Sequence, residues 1–97
     1  LCYNPVHMHA RILLDVRTKE EYMAGNVPGS MHIPLAVLQE SLHMIAKEKQ
    51  IVVFCASGAR AMIAKDILER AHFNVVVGGS WQYVHQLCQS GAIDSLV

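Results

Sequence analysis

Cys55 and Arg60 bracket a short run of small residues, Cys55-Ala56-Ser57-Gly58-Ala59-Arg60, placed directly after the apolar stretch Ile51-Val52-Val53-Phe54. A strand that delivers a thiol into a tight loop opening a helix favours a reactive sulfur. The backbone N–H groups of such a loop converge on its centre, and the helix macrodipole adds about half a positive charge there. Both favour the thiolate, which is the nucleophilic form of cysteine. Arg60 adds a cation that does not deprotonate. A buried cysteine at a strand end is the plainer reading, but packing alone gives no reason for Gly58 and Arg60 to follow it. A second charged group, Asp15 with Arg17, ends another short apolar run, Arg11-Ile12-Leu13-Leu14-Asp15-Val16. A carboxylate there must find donors or water.

The elements that position these residues alternate in type. Arg11 to Val16 reads as a buried strand. Thr18 and Glu21 have capping-box spacing for a short helix through Tyr22, Met23 and Ala24, and Gly25 fits a left-handed stop. Asn26 to Ser30 is turn material. Met31-His32-Ile33 is a short strand, and Pro34 suits the first turn of a helix from Leu35 to about Lys47. Leu35, Leu38, Leu42 and Ile45 form its apolar stripe. Ile51 to Phe54 reads as a strand buried on both faces. The helix after the loop turns Ile63, Ala64, Ile67, Leu68 and Ala71 to one side. Asn74 to Val77 is a last strand closed by Gly78-Gly79, and Trp81 to about Ser90 is a last helix stopped by Gly91. This order predicts an α/β domain with a mainly parallel sheet. Ligands of such sheets bind beyond the carboxyl ends of the strands, where Asp15, Arg17 and Cys55 share a rim.

Composition bounds the function. The 97 residues suffice for one domain, 1–97, and 53% hydrophobic against 16% charged residues indicates a well-buried core. Zero formal net charge leaves no electrostatic footprint for nucleic acid or an anionic membrane. No apolar run approaches the roughly 20 residues of a membrane span. Cys2, Cys55 and Cys88 form no C-x-x-C pair, so neither a zinc site nor a disulfide framework is expected. Lone thiols suit a reducing compartment, and the cytoplasm is the expected location. The chain begins at Leu1 rather than Met, so it reads as a fragment or a processed form, and the lack of a leader says nothing about compartment. His7-x-His9 has same-face spacing for two ligands but lacks a third, so no metal and no other cofactor are expected. His32, His43, His72 and His85 read as structural, Cys88 as core, and Cys2 as relevant only if folding brings it to Cys55.

At this point the residues resemble a known family. Leu14-Asp15-Val16-Arg17, Glu21-Tyr22, Gly25-Asn26-Val27-Pro28-Gly29-Ser30 and Ile33-Pro34 resemble the leading signature of rhodanese-like domains. Cys55-x-x-Gly58-x-Arg60 resembles their active-site loop, and Gly78-Gly79 with Trp81 their closing motif. The resemblance runs from about Ile12 to Trp81. It implies a rhodanese-like α/β fold, a mainly parallel central sheet flanked by helices on both faces. It also implies a cysteine that accepts a sulfane sulfur as a persulfide and passes it on to cyanide or a thiol. Asn26 departs from the family's usual histidine, and Ser80 interrupts its Gly-Gly-Trp. About ten residues precede the first strand, where the family carries a further strand and helix, so that edge is expected to be trimmed or built differently.

Loop length separates sulfur from phosphorus chemistry on this fold. A cysteine phosphatase needs five residues between its cysteine and an arginine that is bidentate to two phosphate oxygens. Here four residues intervene, a smaller cradle suited to one terminal sulfur. Phe54 stands where phosphatases have histidine, and no aspartate stands out as general acid. The expected function is sulfurtransfer through a Cys55 persulfide held by the N–H groups of Ala56, Ser57, Gly58, Ala59 and Arg60, with Asp15 and Arg17 in support. A phosphatase or arsenate reductase of the same fold, or a non-catalytic module of a larger protein, are the alternatives. Arg60 either holds an anionic donor or braces the loop against Asp15. Asp15 and Arg17 either orient substrate or lock the strand end as a buried pair. The expected partners are a small sulfur-donor anion or a protein persulfide, and a thiol or cyanide acceptor. Thiosulfate-binding members of the family often carry a second basic residue in this loop, and here Arg60 stands alone, so the resemblance implies a protein persulfide as donor.

Overall fold

Side-chain alternation decides where the core sits. The structure, a computed structural model, describes residues 11–93. Successive side chains of a strand face opposite ways, and β3 (Gln50–Cys55) is buried from Ile51 through Cys55, so both of its faces are covered. Ile51, Val53 and Cys55 join one cluster with Leu14, Val16, Leu38, Ala64 and Leu68. Phe54 joins a second with Val27, Val84, Leu13 and Trp81. Each fully buried Leu, Ile, Val or Phe contributes roughly 1.5–3 kcal/mol.

Around β3 stand β1 (Arg11–Asp15), β2 (Met31–His32) and β4 (Asn74–Ser80), all parallel, in the order β2-β1-β3-β4. The helices are α1 (Lys19–Ala24), α2 (Leu35–Leu38), α3 (Ala59–Arg70) and α4 (Trp81–Ser90). Leu38, Ala61, Ala64 and Leu68 pack α2 and α3 into the first cluster, and Val84 packs α4 into the second. The mainly parallel sheet with helices on both faces therefore stands as expected. The path leaves β1 towards β2 but leaves β3 towards β4, so it reverses between β1 and β3. That reversal opens a crevice at the carboxyl ends of these two strands. Asp15 ends one and Cys55 ends the other.

Several local expectations change. Gly25 ends α1 with φ 167°, an extended backbone rather than a left-handed one. Glycine is needed there for space, because a Cβ would lie 3.0 Å from the Trp81 ring. The helix expected from Leu35 to Lys47 is α-helical only to Leu38, continues as a 3-10 helix over Gln39–Met44, and stops at Ile45. Ser41 Oγ donates to the Val37 carbonyl at 2.8 Å, a bond that competes with the helical ladder. Ile63 is 55% exposed, and Ala61 takes its inward place because the helix starts at Ala59, which sets the phase of its buried face. β4 runs through Gly78 and Gly79 to Ser80 instead of closing at Val77. A register shift opposite Val53 and Phe54 absorbs an extra residue. A Cβ on Gly78 would lie 2.7 Å from Val84 Cγ2, so only glycine fits that crossing.

Cys2, His7, His9 and the amino-terminal edge expected to be trimmed or built differently lie outside the described residues. Among the described residues no helix is long and apolar enough to cross a membrane.

Candidate active site

The crevice is assembled from two strand ends and one loop. β3 carries Cys55 to its last position, where the residue is fully buried. The chain then turns through Ala56, Ser57 and Gly58, with Ser57 exposed. Gly58 adopts φ 104°, a left-handed conformation that strains any residue with a side chain. In that conformation its N–H donates to Cys55 Sγ at 3.0 Å, and its carbonyl accepts from Met62 N to start α3. One glycine therefore both aims a donor at the sulfur and opens the helix. Gly58 lies close to Gly79 of β4, 3.7 Å from its Cα at the ideal Cβ position, so the glycines of two motifs meet beside the thiol.

Arg60 follows at the second position of α3 and reaches across to α1. Its Nη1 and Nη2 donate to Glu21 Oε1 and Oε2 at 2.7 and 2.9 Å. The brace therefore runs to Glu21, not to Asp15 as one of the two sequence readings had it. Asp15 is already saturated. Its Oδ1 accepts Arg17 N and Nε at 3.0 Å each, and its Oδ2 accepts Arg17 Nε and Nη2 at 3.0 and 2.7 Å. The Arg60 guanidinium, aided by the Thr18 backbone N–H, holds the Glu21 carboxyl at about 2, well below its usual range. Glu21 in turn raises the Arg60 pKa through the same hydrogen-bonded pair. Glu21 holds this place because the Thr18 capping box fixes α1, with Glu21 Oε1 accepting from Thr18 N and Oγ1 at 3.0 and 3.1 Å.

Arg17 is the structural counterpart. Besides Asp15 it donates to the carbonyls of Glu21 at 3.3 Å and Gly25 at 2.7 Å, and its guanidinium carbon lies 4.7 Å from the Trp81 ring centroid. It ties the end of β1 to α1 and to the start of α4. His32 sits nearby, with Nε2 2.8 Å from the Arg17 carbonyl oxygen and its ring stacked on Tyr22 at 4.3 Å. Asn26 donates to the Tyr22 carbonyl at 2.9 Å, and Ser80 caps α4 by accepting from Tyr83 N. Both departures from the family pattern thus have local structural work. Cys88 is half-buried on α4 beside the second cluster, and burial pushes its thiol up.

Sequence reasoning brought Cys55, Gly58 and Arg60 to one loop, and the structure places Asp15 and Arg17 at the neighbouring strand end. It missed Glu21 as the partner of Arg60 and Trp81 as the face for Arg17. Glu21 had a usable signal, since its capping-box position sets it on the helix that leaves the same rim. Trp81 had none, because the approach depends on how α4 crosses the sheet.

Residues 3–86 match the family model for the rhodanese-like domain. A region of 59 residues is 41% identical to the HTH-type transcriptional regulator Rv0324 of Mycobacterium tuberculosis, covering 61% of this chain and 26% of that protein. A region of 64 residues is 34% identical to the putative sulfurtransferase YtwF of Bacillus subtilis, covering 66% of this chain and 62% of that one. The chain thus spans about a quarter and about three-fifths of the length of these curated relatives. Among solved structures, a rhodanese with anions from E. coli superimposes with a TM-score of 0.71 at 28% identity, over 76% of this chain and 91% of that one.

Proposed function

Because the chain belongs to the rhodanese-like domain family, we propose that it is a sulfurtransferase carrying a sulfane sulfur on Cys55. The observation that carries this reading is the Gly58 N–H directed at Sγ at 3.0 Å from a left-handed glycine. A donor fixed there stabilises a sulfur anion before and after loading, without reorganisation during the reaction. The Cys55 thiolate attacks the outer sulfur of thiosulfate or of a persulfide. An S–S bond forms on Cys55, and the electron pair of the broken bond leaves on sulfite or on a thiolate. A thiol or cyanide then attacks the outer sulfur of the Cys55 persulfide and regenerates the thiolate. The N–H groups from Ala56 through Arg60 cradle the extra sulfur, and Ser57 offers it a hydroxyl. Because Cys55 is fully buried at rest, attack requires the small-residue loop to yield. Asp15 and Arg17 act as the frame that ties the end of β1 to α1 and α4 beside this loop, not as substrate contacts. A reducing compartment of cytoplasmic type suits a working thiol.

Phosphate chemistry fits less well, because both terminal nitrogens of Arg60 are already engaged by Glu21. The bidentate clamp that a phosphate needs is taken. The match to a quarter of a transcriptional regulator supports a second arrangement, in which the domain serves a longer protein and the loading of Cys55 is read rather than turned over.

Intact mass spectrometry after incubation with thiosulfate or a persulfide donor tests the reading. The native chain is expected to gain the mass of one sulfur atom, and Cys55→Ser to gain nothing. A native chain that gains no mass with either donor overturns it.

A further inference from the structure

A pocket of about 310 Å³ opens in the crevice between the ends of β1 and β3, lined by Val16, Thr18, Pro34, Leu35, Ala36 and Arg60. Its walls come from the connection after β1, the start of α2 and the start of α3, so it occupies the switch point where sheets of this topology take ligands. Val16 belongs to the same buried cluster as Cys55, and Arg60 closes the loop that Cys55 begins. The thiol is not among the walls, but the pocket stands beside its loop.

The lining is unusual for a site that would take thiosulfate. Val16, Pro34, Leu35 and Ala36 are apolar. The two polar side chains, Thr18 and Arg60, both donate to Glu21, Thr18 Oγ1 at 3.1 Å and Arg60 through both terminal nitrogens. A doubly charged inorganic anion would meet a neutralised cation and hydrocarbon walls. An apolar group would meet a surface that needs no further hydrogen bonds. The volume sits at the low end of the ~300–1,000 Å³ typical of small-molecule sites.

Resting on the sulfurtransfer reading above, we propose that this pocket seats the organic body of a low-molecular-weight persulfide, R–S–SH with apolar R. Such a persulfide, rather than thiosulfate, is then the preferred sulfur donor. The Cys55 thiolate attacks the terminal sulfur of R–S–SH. The Cys55–sulfur bond forms, the S–S bond of R–S–SH breaks, the proton stays on the transferred sulfur, and R–S⁻ leaves with the electron pair. No oxidant or reductant is required.

The test compares kcat/KM for loading Cys55 from methyl persulfide, pentyl persulfide and thiosulfate. Each methylene buried is worth roughly fourfold, and partial burial of four predicts a rise of about tenfold or more from methyl to pentyl persulfide. Ala36→Phe, at an exposed position of α2, fills the pocket and brings the pentyl-to-methyl ratio towards one. Equal rates for the two persulfides overturn the pocket and leave sulfurtransfer standing. A response confined to a persulfidated peptide, without saturation by pentyl persulfide, overturns the small-molecule assignment. If no donor loads Cys55, sulfurtransfer fails, and the pocket is judged by titrating 1-pentanethiol into Cys55→Ser. Saturable NMR shifts of the Val16 and Leu35 methyls sustain it, and their absence overturns it.

Discussion

Two arginine–carboxylate pairs flank the same crevice, and they share a shortest contact of 2.7 Å. Their surroundings differ. Arg17 and Asp15 are 3% and 0% exposed, whereas Arg60 and Glu21 are 33% and 36% exposed. The inner pair is saturated: Arg17 spends its donors on Asp15 and on two carbonyls and lies over Trp81. Removing either partner would strand a buried charge. The outer pair stands in water on one side, where screening and side-chain entropy offset most of the attraction. The same chemistry therefore gives a buried brace in one place and a half-exposed pair beside the thiol loop in the other.

The largest expected effect separates the two pairs outright. Arg17→Met should cost about 3–5 kcal/mol in urea unfolding, because it leaves Asp15 buried and unpaired. Arg60→Met, followed by the same measurement, should cost no more than about 1 kcal/mol. Similar losses for both variants would break the distinction between frame and rim.

A smaller effect sharpens what the outer pair does. Glu21→Gln removes the charge that neutralises Arg60 while keeping an acceptor for the Thr18 cap. Thiosulfate should then load Cys55 roughly threefold or more efficiently, through a lower KM, consistent with the modest energy of a half-exposed pair. Loading from pentyl persulfide should change little by comparison. A thiosulfate KM that does not fall would show that Arg60 has no access to the donor.

The smallest effect is a dependence on pH. Glu21 is held at about 2 in the folded chain against an ordinary 4.5, so its stabilising contribution is present above 4.5 and is lost as pH falls through 2. The stability difference between native chain and Glu21→Gln should be flat above about pH 5 and shrink below it. Half-exposure keeps the whole effect under about 1 kcal/mol. A difference that changes between about pH 6 and 8 would point to another group.

What could be read in the chain was local. The Thr18–Glu21 box is a three-residue relation and forms as read. The unbroken apolar run before Cys55 has one stable environment, a strand covered on both faces, and β3 occupies it. Gly58 was legible as a residue needed for its backbone, and its φ of 104° is such a requirement. Reasons that arise between distant segments were not legible. Gly25 is glycine because Trp81 passes over it, and Gly78 because Val84 does. The apolar stripe from Leu35 to Ile45 had helical spacing, yet the side-chain bond of Ser41 and the short path back to β3 leave only one turn of α-helix.

Local sequence sets the order of elements, the placement of the thiol at a strand end and the small loop that follows. Each of these depends on periodicity or backbone freedom within a few residues. Tertiary structure decided which carboxylate Arg60 would meet. Asp15 and Glu21 both lie near the rim, and only packing shows that Arg17 has already consumed Asp15. Ion-pair partners are settled by which donors remain free once the chain is folded, and that is a property of the crevice rather than of any stretch of sequence.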